Sequence, residues 1–450
     1  MIEVTFNDAF TDEWVKLNIS DPTRKLVILR KIIPWESIIQ SLSVYYDPCK
    51  GAYGKSLRSM VALQILRHLY KLGDVNVVEQ VKENRYMQYF CNVPDEGLAT
   101  FIDSSTLCIF RQRLGIEGIE QIELAIFSRL RISGVISGES LLMDSTVLES
   151  NIIYPNDVQL IKNAFEKMAI FAKQQTIPIW WDNDHVKTLW RAFNLAKRAD
   201  RQNVLATFNQ LLIPALVKFK ALVEALTISD NPKKVNRSIK KKEKAQQLLA
   251  LLNLLEEQTL EKLNGNTKIA NRIVSLTEID ARPIKKGKIN PICEFGTTLE
   301  MSFNRQGFIV TVENFIGKPD DSTMLTDTFD YFTWKMKGYP NQVITDLGYR
   351  SADNMDYVAF ETRDVFLGRT VDVNEAVQEF CCKARSATEG MIAVAKNIRG
   401  FSKSLYRGVD GDRIWSLLCQ TASNLTKFIQ LLNTDEIDET VMIKLGLLAK

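Results

Sequence analysis

Apolar positions recur at helical spacing along most of this chain and at strand spacing in a few short stretches. In SLRSMVALQILRHLYKLG, Leu57, Val61, Ile65 and Leu69 step by four, and Gly73 closes the run. A second helical stretch is predicted over Val77 to Tyr89. A short helix capped by Ser104 or Ser105 carries Arg111 and Arg113, and another runs from about Gly118 to Leu130. Together these make a helical N-terminal domain, 1–135. Several short helices with exposed arginines suit a helix-turn-helix-like DNA reader, and suit any small helical bundle equally well.

Residues 137–150, SGESLLMDSTVLES, read as a strand in which Leu141, Leu142 and Met143 run apolar into Asp144. A buried strand ending in a carboxylate sets that acid at the sheet edge. Helix formers fill 158–264, with no glycine between Gly138 and Gly265. Ile161, Phe165, Met168 and Ala172 form one stripe there, and Pro178, Pro214 and Pro232 divide the region into several helices. Trp180 and Trp181 read as core of this helical insertion, with stacking on a flipped base as the alternative.

Strand patterning returns after Gly265. RIVSLTEID (272–280) carries Ile273, Val274 and Leu276. Phe295, Leu299, Met301 and Phe303 alternate on one face, Asn304 to Gly307 is a hairpin turn, and GFIVTVENF (307–315) is the return strand. A helix over 323–336, the strand QVITD (342–346) ending in Asp346, the strand DVFLG (364–368) and helices over 374–398 and 410–432 follow. In the helix over 374–398, Phe380, Ala384, Ala387, Met391, Val394 and Ile398 make one apolar stripe, and Arg385, Glu389 and Lys396 share the opposite face.

Composition narrows the chemistry. A chain of 450 residues, 46% hydrophobic and 25% charged, suits roughly three globular domains. No uninterrupted apolar run reaches the ~18 residues of a membrane span, so no membrane association is expected. The N-terminus has neither the basic nor the apolar region of a signal peptide. Seven cysteines without a CxxC pair point to a reducing cytoplasm. With only His68 and His185 present, any metal must be held mainly by carboxylates, which favours Mg²⁺ or Mn²⁺. His68, inside an apolar helix, reads as structural. The net charge is +3 but clustered. KKVNRSIKKKEK (233–244), RPIKKGK (282–288, with Lys285, Lys286 and Lys288) and the group Lys396, Arg399, Lys403 and Arg407 are each either a phosphate-binding surface or a solvated face.

Four blocks, in order, carry a resemblance. MDSTVLESNIIYPNDVQL (143–160), SLTEIDARPIKKGKINPICEFG (275–296), ITDLGYRSADN (344–354) and the spacing Arg385, three residues, Glu389, six residues, Lys396 resemble the insertion-sequence transposases of the IS5-like superfamily. The stretch Lys55 to Leu114 is similar to the helical domain that precedes their cores. Two positions depart from the pattern: Cys382 stands where a tyrosine is frequent, and Asn156 where threonine is usual.

The resemblance implies an α/β fold with an RNase H-like mixed-sheet catalytic core, 136–157 and 265–400. The core is interrupted after its first strand by the helical insertion 158–264 and followed by C-terminal helices, 401–450. It implies a DDE triad, Asp144, Asp346 and Glu389, as catalytic residues and metal ligands for two Mg²⁺ (or Mn²⁺) ions. It implies DNA transposition, by metal-dependent cleavage and strand transfer on double-stranded DNA: the element's terminal inverted repeats and the target. Glu149 and Asp157, close to Asp144, are the competing acids. With the basic clusters, the expected DNA contacts are Arg385, Lys396, Arg399, Lys285, Lys286, Lys288, Arg111 and Arg113. A homodimer, at least on DNA, and a cytoplasmic, nucleoid-associated prokaryotic protein are expected. The rival readings are an RNase H-like nuclease that cuts without joining, and an inactive DNA-binding derivative.

Overall fold

The computed structural model describes residues 8–47, 54–98, 101–197, 199–266, 268–285, 293–368 and 375–448. It is a mixed α/β protein with many helices and an open mixed sheet. The described strands are β1 (Ser140–Glu149), β2 (Arg282–Ile284), β3 (Glu294–Phe303), β4 (Ile309–Ile316), β5 (Gln342–Thr345) and β6 (Asp364–Leu367). The chain forms two compact units, one of residues 1–149 and 297–450, the other of 150–296.

In the first unit the strands run in the order β4, β3, β1, β5, β6. β1–β5 and β5–β6 are parallel, and β3–β4 is an antiparallel hairpin with an irregular register at Ser302 and Phe303. β1 is buried along nearly its whole length, as a strand covered on both faces must be. The N-terminal helices share one apolar core with this sheet, from Leu57, Ile65 and Phe127 to Leu299, Phe332 and Phe428.

The helix Gly408–Asn433 lies at the centre of that core and is buried along most of its length. It protects the outer strand. The Gln420 amide donates to the Ile309 and Val310 carbonyls at 3.1 and 2.8 Å, and Asn424 both donates to the Ile309 carbonyl and accepts from its N–H. An edge strand with unpaired backbone groups is a template for aggregation, and these two side chains occupy its first two residues.

Several helix boundaries differ from the periodicity, each for a local reason. The stretch 77–89 is two helices, Asp74–Glu83 and Arg85–Cys91, because the Asn84 side chain accepts from the Tyr86 and Met87 N–H groups and starts the second. Asp103, rather than Ser104 or Ser105, caps the helix Ser104–Ser133, which is broken at Gly115 (φ 60°, ψ −162°), a conformation essentially confined to glycine.

In the second unit the helices are Asp157–Gln175, Asn183–Leu195, Arg201–Glu224 and Val235–Leu263. Pro178 and Pro232 separate helices, but Pro214 sits inside Arg201–Glu224 and does not end it. That helix is long and apolar enough by composition to cross a membrane. Here it buries Leu205, Phe208, Leu212 and Phe219 against its neighbours. Trp180 and Trp181 pack on Phe219 and Phe165 in the same core. Residues 272–280 are not a strand. Ile273 and Leu276 enter the helical core, and the Gln258 side chain satisfies the Ile273 N–H at 2.9 Å in place of a neighbouring strand. β2 pairs with Glu294–Gly296 at the opening of β3.

One buried ion pair ties elements of the first unit together. Lys335 donates to Glu123 at 2.7 Å and to the Val310 carbonyl at 2.6 Å, with both charged side chains 1% exposed. Glu123→Ala leaves that ammonium without its counter-charge and should cost about 3–5 kcal/mol in urea unfolding, whereas Glu123→Leu combined with Lys335→Met should recover most of it. A double variant as unstable as the single one would show that packing, not the stranded charge, sets the cost.

Candidate functional site

Asp144 is not at a strand end. It sits in the middle of β1, and what ends beside it is the parallel partner. Every β1–β5 pair is offset by 202 residues (140 with 342, 142 with 344), and Asp144 and Asp346 carry the same offset two positions further on. Neighbouring strands are ~4.8 Å apart and side chains alternate with period two, so the register sets the two aspartates side by side. β5 stops at Thr345, and Asp346 turns the chain: its carboxylate accepts from the Gly348 N–H at 2.8 Å and caps the short turn Leu347–Tyr349.

The helix Glu375–Arg399 supplies the third acid, by a different face from the one its apolar stripe indicates. Cys381, Thr388, Ile392 and Ala395 are buried, while Val394 and Ile398 are 43% and 53% exposed. The buried face is therefore turned by about one residue, ~100°, from the stripe Phe380 to Ile398. Cys381 packs on Ile344 and Phe366 of the sheet. The turn brings Arg385 and Glu389, which flank Thr388, to the sheet. Asp144, Asp346, Arg385, Thr388 and Glu389 line one small cavity of 30 Å³, space on the scale of a single water. Arg385 and Glu389 are 3.8 Å apart and more than half exposed. Among the described residues no three acidic, histidine or cysteine side chains stand together at ion-holding distance.

A fourth acid, absent from the sequence-derived set, borders this place. Asp321 accepts from the Ser145 hydroxyl at 3.0 Å. A Cβ on Gly348 would meet Asp321 Oδ2 at 2.9 Å and Asp346 Oδ1 at 3.1 Å, so only glycine lets these two carboxylates close around the turn. Tyr349, buried beneath, donates to Glu300 at 2.7 Å. Burial, then Glu300 and then Asp144 and Asp321, push its hydroxyl well above the usual phenol range. The only sequence signal for Asp321 was the acid pair in KPDDST, which no strand or helix pattern singles out.

The expected DNA contacts fare unequally. Lys396 lies two turns beyond Glu389 on the same helix, and Arg399, half-buried, donates to Gln430 at 3.4 Å. Arg113 is exposed and stands over the Tyr46 ring. Lys285 is exposed in the second unit, and Lys286 and Lys288 lie outside the described residues. Arg111 is not an exposed arginine. It is buried, and its guanidinium is engaged by Asp74 at 2.6 and 3.0 Å and by the Tyr406 ring. Of the competing acids, Asp157 pairs with Lys262 and Arg272, while Asn156 caps the helix that follows. Glu149 closes β1 through its backbone, its N–H donating to the Ser402 carbonyl at 3.1 Å and its carbonyl accepting from the Ser404 N–H at 2.8 Å. His68 is buried against Tyr406 and Trp415, and burial followed by Arg67 and Arg111 holds its imidazole well below the usual range.

With an acid-lined cavity set on a mixed α/β sheet, comparison with known proteins gives the kinship. Residues 15–113 match the model of a transposase domain (DUF772). A Rhizobium meliloti protein described as "Uncharacterized protein ORF8 in nfe locus" is 32% identical over 176 residues, 38% of this chain and 84% of that protein. No solved structure matches. The chain belongs to a transposase family.

Arg111 yields a test of its structural role. Burial alone would raise the Asp74 carboxyl, but Arg111 and Arg67 outweigh it and hold it below 3.8. The pairing therefore stabilises the fold fully above the unfolded value near 3.8 and is lost as pH falls through the lowered folded value. Arg111→Ala should destabilise the protein by about 3 kcal/mol at neutral pH, and Asp74→Asn should remove this part of the acid sensitivity. Chemical denaturation from pH 7 down to 2 reads both. Full stability of Arg111→Ala combined with weakened DNA binding would return Arg111 to the binding surface.

Proposed function

We propose that the protein is a DNA transposase of the DDE type on an RNase H-like core, with Asp144, Asp346 and Glu389 as its catalytic carboxylates. One observation carries this reading: three acids from a central strand, the end of its parallel neighbour and a distant helix line one cavity with Arg385, in a chain of a transposase family. The donor set is oxygen only, which suits Mg²⁺ or Mn²⁺. Mg²⁺ is commonly held by one or two carboxylates plus substrate phosphates, and the paired Asp144 and Asp346 fit that need, with Glu389 beside them. When bound, two such ions would polarise the scissile phosphate and favour deprotonation of the attacking hydroxyl.

The chain's own residues do the rest. Asp144 is held by the sheet and Asp346 by its cap on Gly348, so neither needs to search for its position. Glu389 is on the helix, partnered by Arg385. A DNA phosphate gives that guanidinium a bidentate partner, which frees Glu389 to turn toward the aspartates. Lys396, further along the same face, reaches the backbone as a point charge. The substrates are double-stranded DNA ends and a target duplex. Cleavage and joining at one site require two ends held together, which a homodimer on DNA provides.

Asp346→Asn keeps the shape and the Gly348 cap while removing one negative charge. The variant should fold, bind duplex DNA in a mobility shift, and lose nicking and strand joining together by two orders of magnitude or more. Wild-type cleavage by this variant would remove Asp346 from the catalytic set. Cleavage without joining by the purified wild-type protein would instead favour a nuclease, and binding without either reaction a DNA-binding derivative.

A further inference from the structure

The second unit contains a cavity of its own, of 670 Å³, within the ~300–1,000 Å³ range of small-ligand sites. Its walls come entirely from residues 150–296, from the helical insertion and from the segments that flank it. Three aromatic residues line it, Tyr154, Phe193 and Phe295. Tyr154 is 77% exposed, although its ring is braced edge-on by Phe295 at 5.4 Å and 86°. Phe193 is half-buried and has the Arg201 guanidinium over its ring at 5.4 Å.

The remaining wall is cationic. Lys262 and Arg272 both pair with Asp157. Burial would raise that carboxyl, and the two cations reverse the effect and hold it below its usual value. Asp157 thus fixes two cationic side chains, each still a third or more exposed, while neutralising only one charge. Among the described lining residues, Arg201, Lys262 and Arg272 face this single acid, so the cavity keeps a net positive charge.

A flat apolar platform beside fixed cations recognises a planar ring that carries an anion. We propose that this cavity holds one unpaired nucleotide of a DNA strand, its base stacked on Tyr154 and Phe193 and its phosphate on Arg201 and Arg272. Aromatic stacking with backbone neutralisation is how unpaired strands are held without sequence preference. A paired duplex offers phosphates but no free base face, and a purely apolar ligand would leave the cavity's net positive charge unanswered. The choice of DNA rests on the reading of the protein as a DNA transposase, and the cavity does not involve Asp144, Asp346 or Glu389.

The test uses the full chain, a short labelled mixed-sequence deoxyoligonucleotide and a blunt duplex of the same sequence, followed by fluorescence anisotropy. Tyr154→Ala should weaken binding of the single strand roughly 5- to 150-fold. It should leave duplex binding unchanged and, because Tyr154 is exposed, leave the melting temperature within a few degrees. Tyr154→Phe should bind the single strand as wild type does. Arg201→Ala should lower the slope of log affinity against log salt. Single-strand affinity unchanged in Tyr154→Ala, or lost equally in Tyr154→Phe, overturns the proposal. A wild-type protein that binds duplex but no single strand overturns it while leaving the transposase reading intact. One that binds neither overturns both.

Discussion

The parallel register of β1 against β5 is the constraint on which the candidate site depends. Only three residue pairs define it, Ser140 with Gln342 through Leu142 with Ile344, yet it decides where two acids 202 residues apart come to lie. A slip of one residue would send Asp346 to the opposite face of the sheet from Asp144. Such a slip is resisted because the side chains of the strand that moved would all exchange faces, and for β5 these include the buried Val343 and Ile344. Hydrophobic burial thereby fixes a polar geometry that the acids, which repel each other, would not adopt alone.

The third acid is placed by different physics. A helix can rotate about its axis at little cost unless one face is anchored. Here the anchors are Cys381, Thr388, Ile392 and Ala395, small or modest side chains that allow close approach to the sheet. The larger apolar residues Val394 and Ile398 stay largely outside. Close approach outweighs the burial of two more aliphatic groups at ~1.5–3 kcal/mol each, and the outcome is that Glu389 and Arg385 meet the cavity. Their mutual pairing, exposed and 3.8 Å long, is weak, so it holds Glu389 close without locking it.

What the sequence disclosed follows from this division. The strands around Asp144 and Asp346, the hairpin at Asn304 to Gly307 and the long C-terminal helices were legible because each has a strong local period. The triad as a set came from motif resemblance, not periodicity, since nothing local relates residue 144 to residue 346. The rotation of the Glu375–Arg399 helix was illegible because hydrophobicity ranks Val394 and Ile398 above Thr388, whereas packing distance ranks them below. Arg111 and Asp321 were misjudged or missed for a related reason. An arginine's exposure and an acid's neighbours depend on partners distant in the chain, Asp74 and Tyr406 for one and Ser145 and Gly348 for the other. Residues 272–280 read as a strand because apolar content was present, but a strand also needs a backbone partner. There the Gln258 amide filled that role.

The same trade between backbone and side chain recurs at the sheet's edge. The start of β4 would be an open edge were the Ile309 and Val310 carbonyls not taken by Gln420 and Asn424. These polar residues sit on a helix otherwise buried like a core element, and they are tolerated there because both side-chain amides donate to backbone carbonyls of β4. Since that helix also packs on the N-terminal helices, the match to a transposase domain at 15–113 and the acid-bearing sheet share one folding unit. A substitution that uncovers the start of β4 should therefore unsettle the matched N-terminal domain and the acid-bearing sheet at once, rather than loosening a peripheral strand.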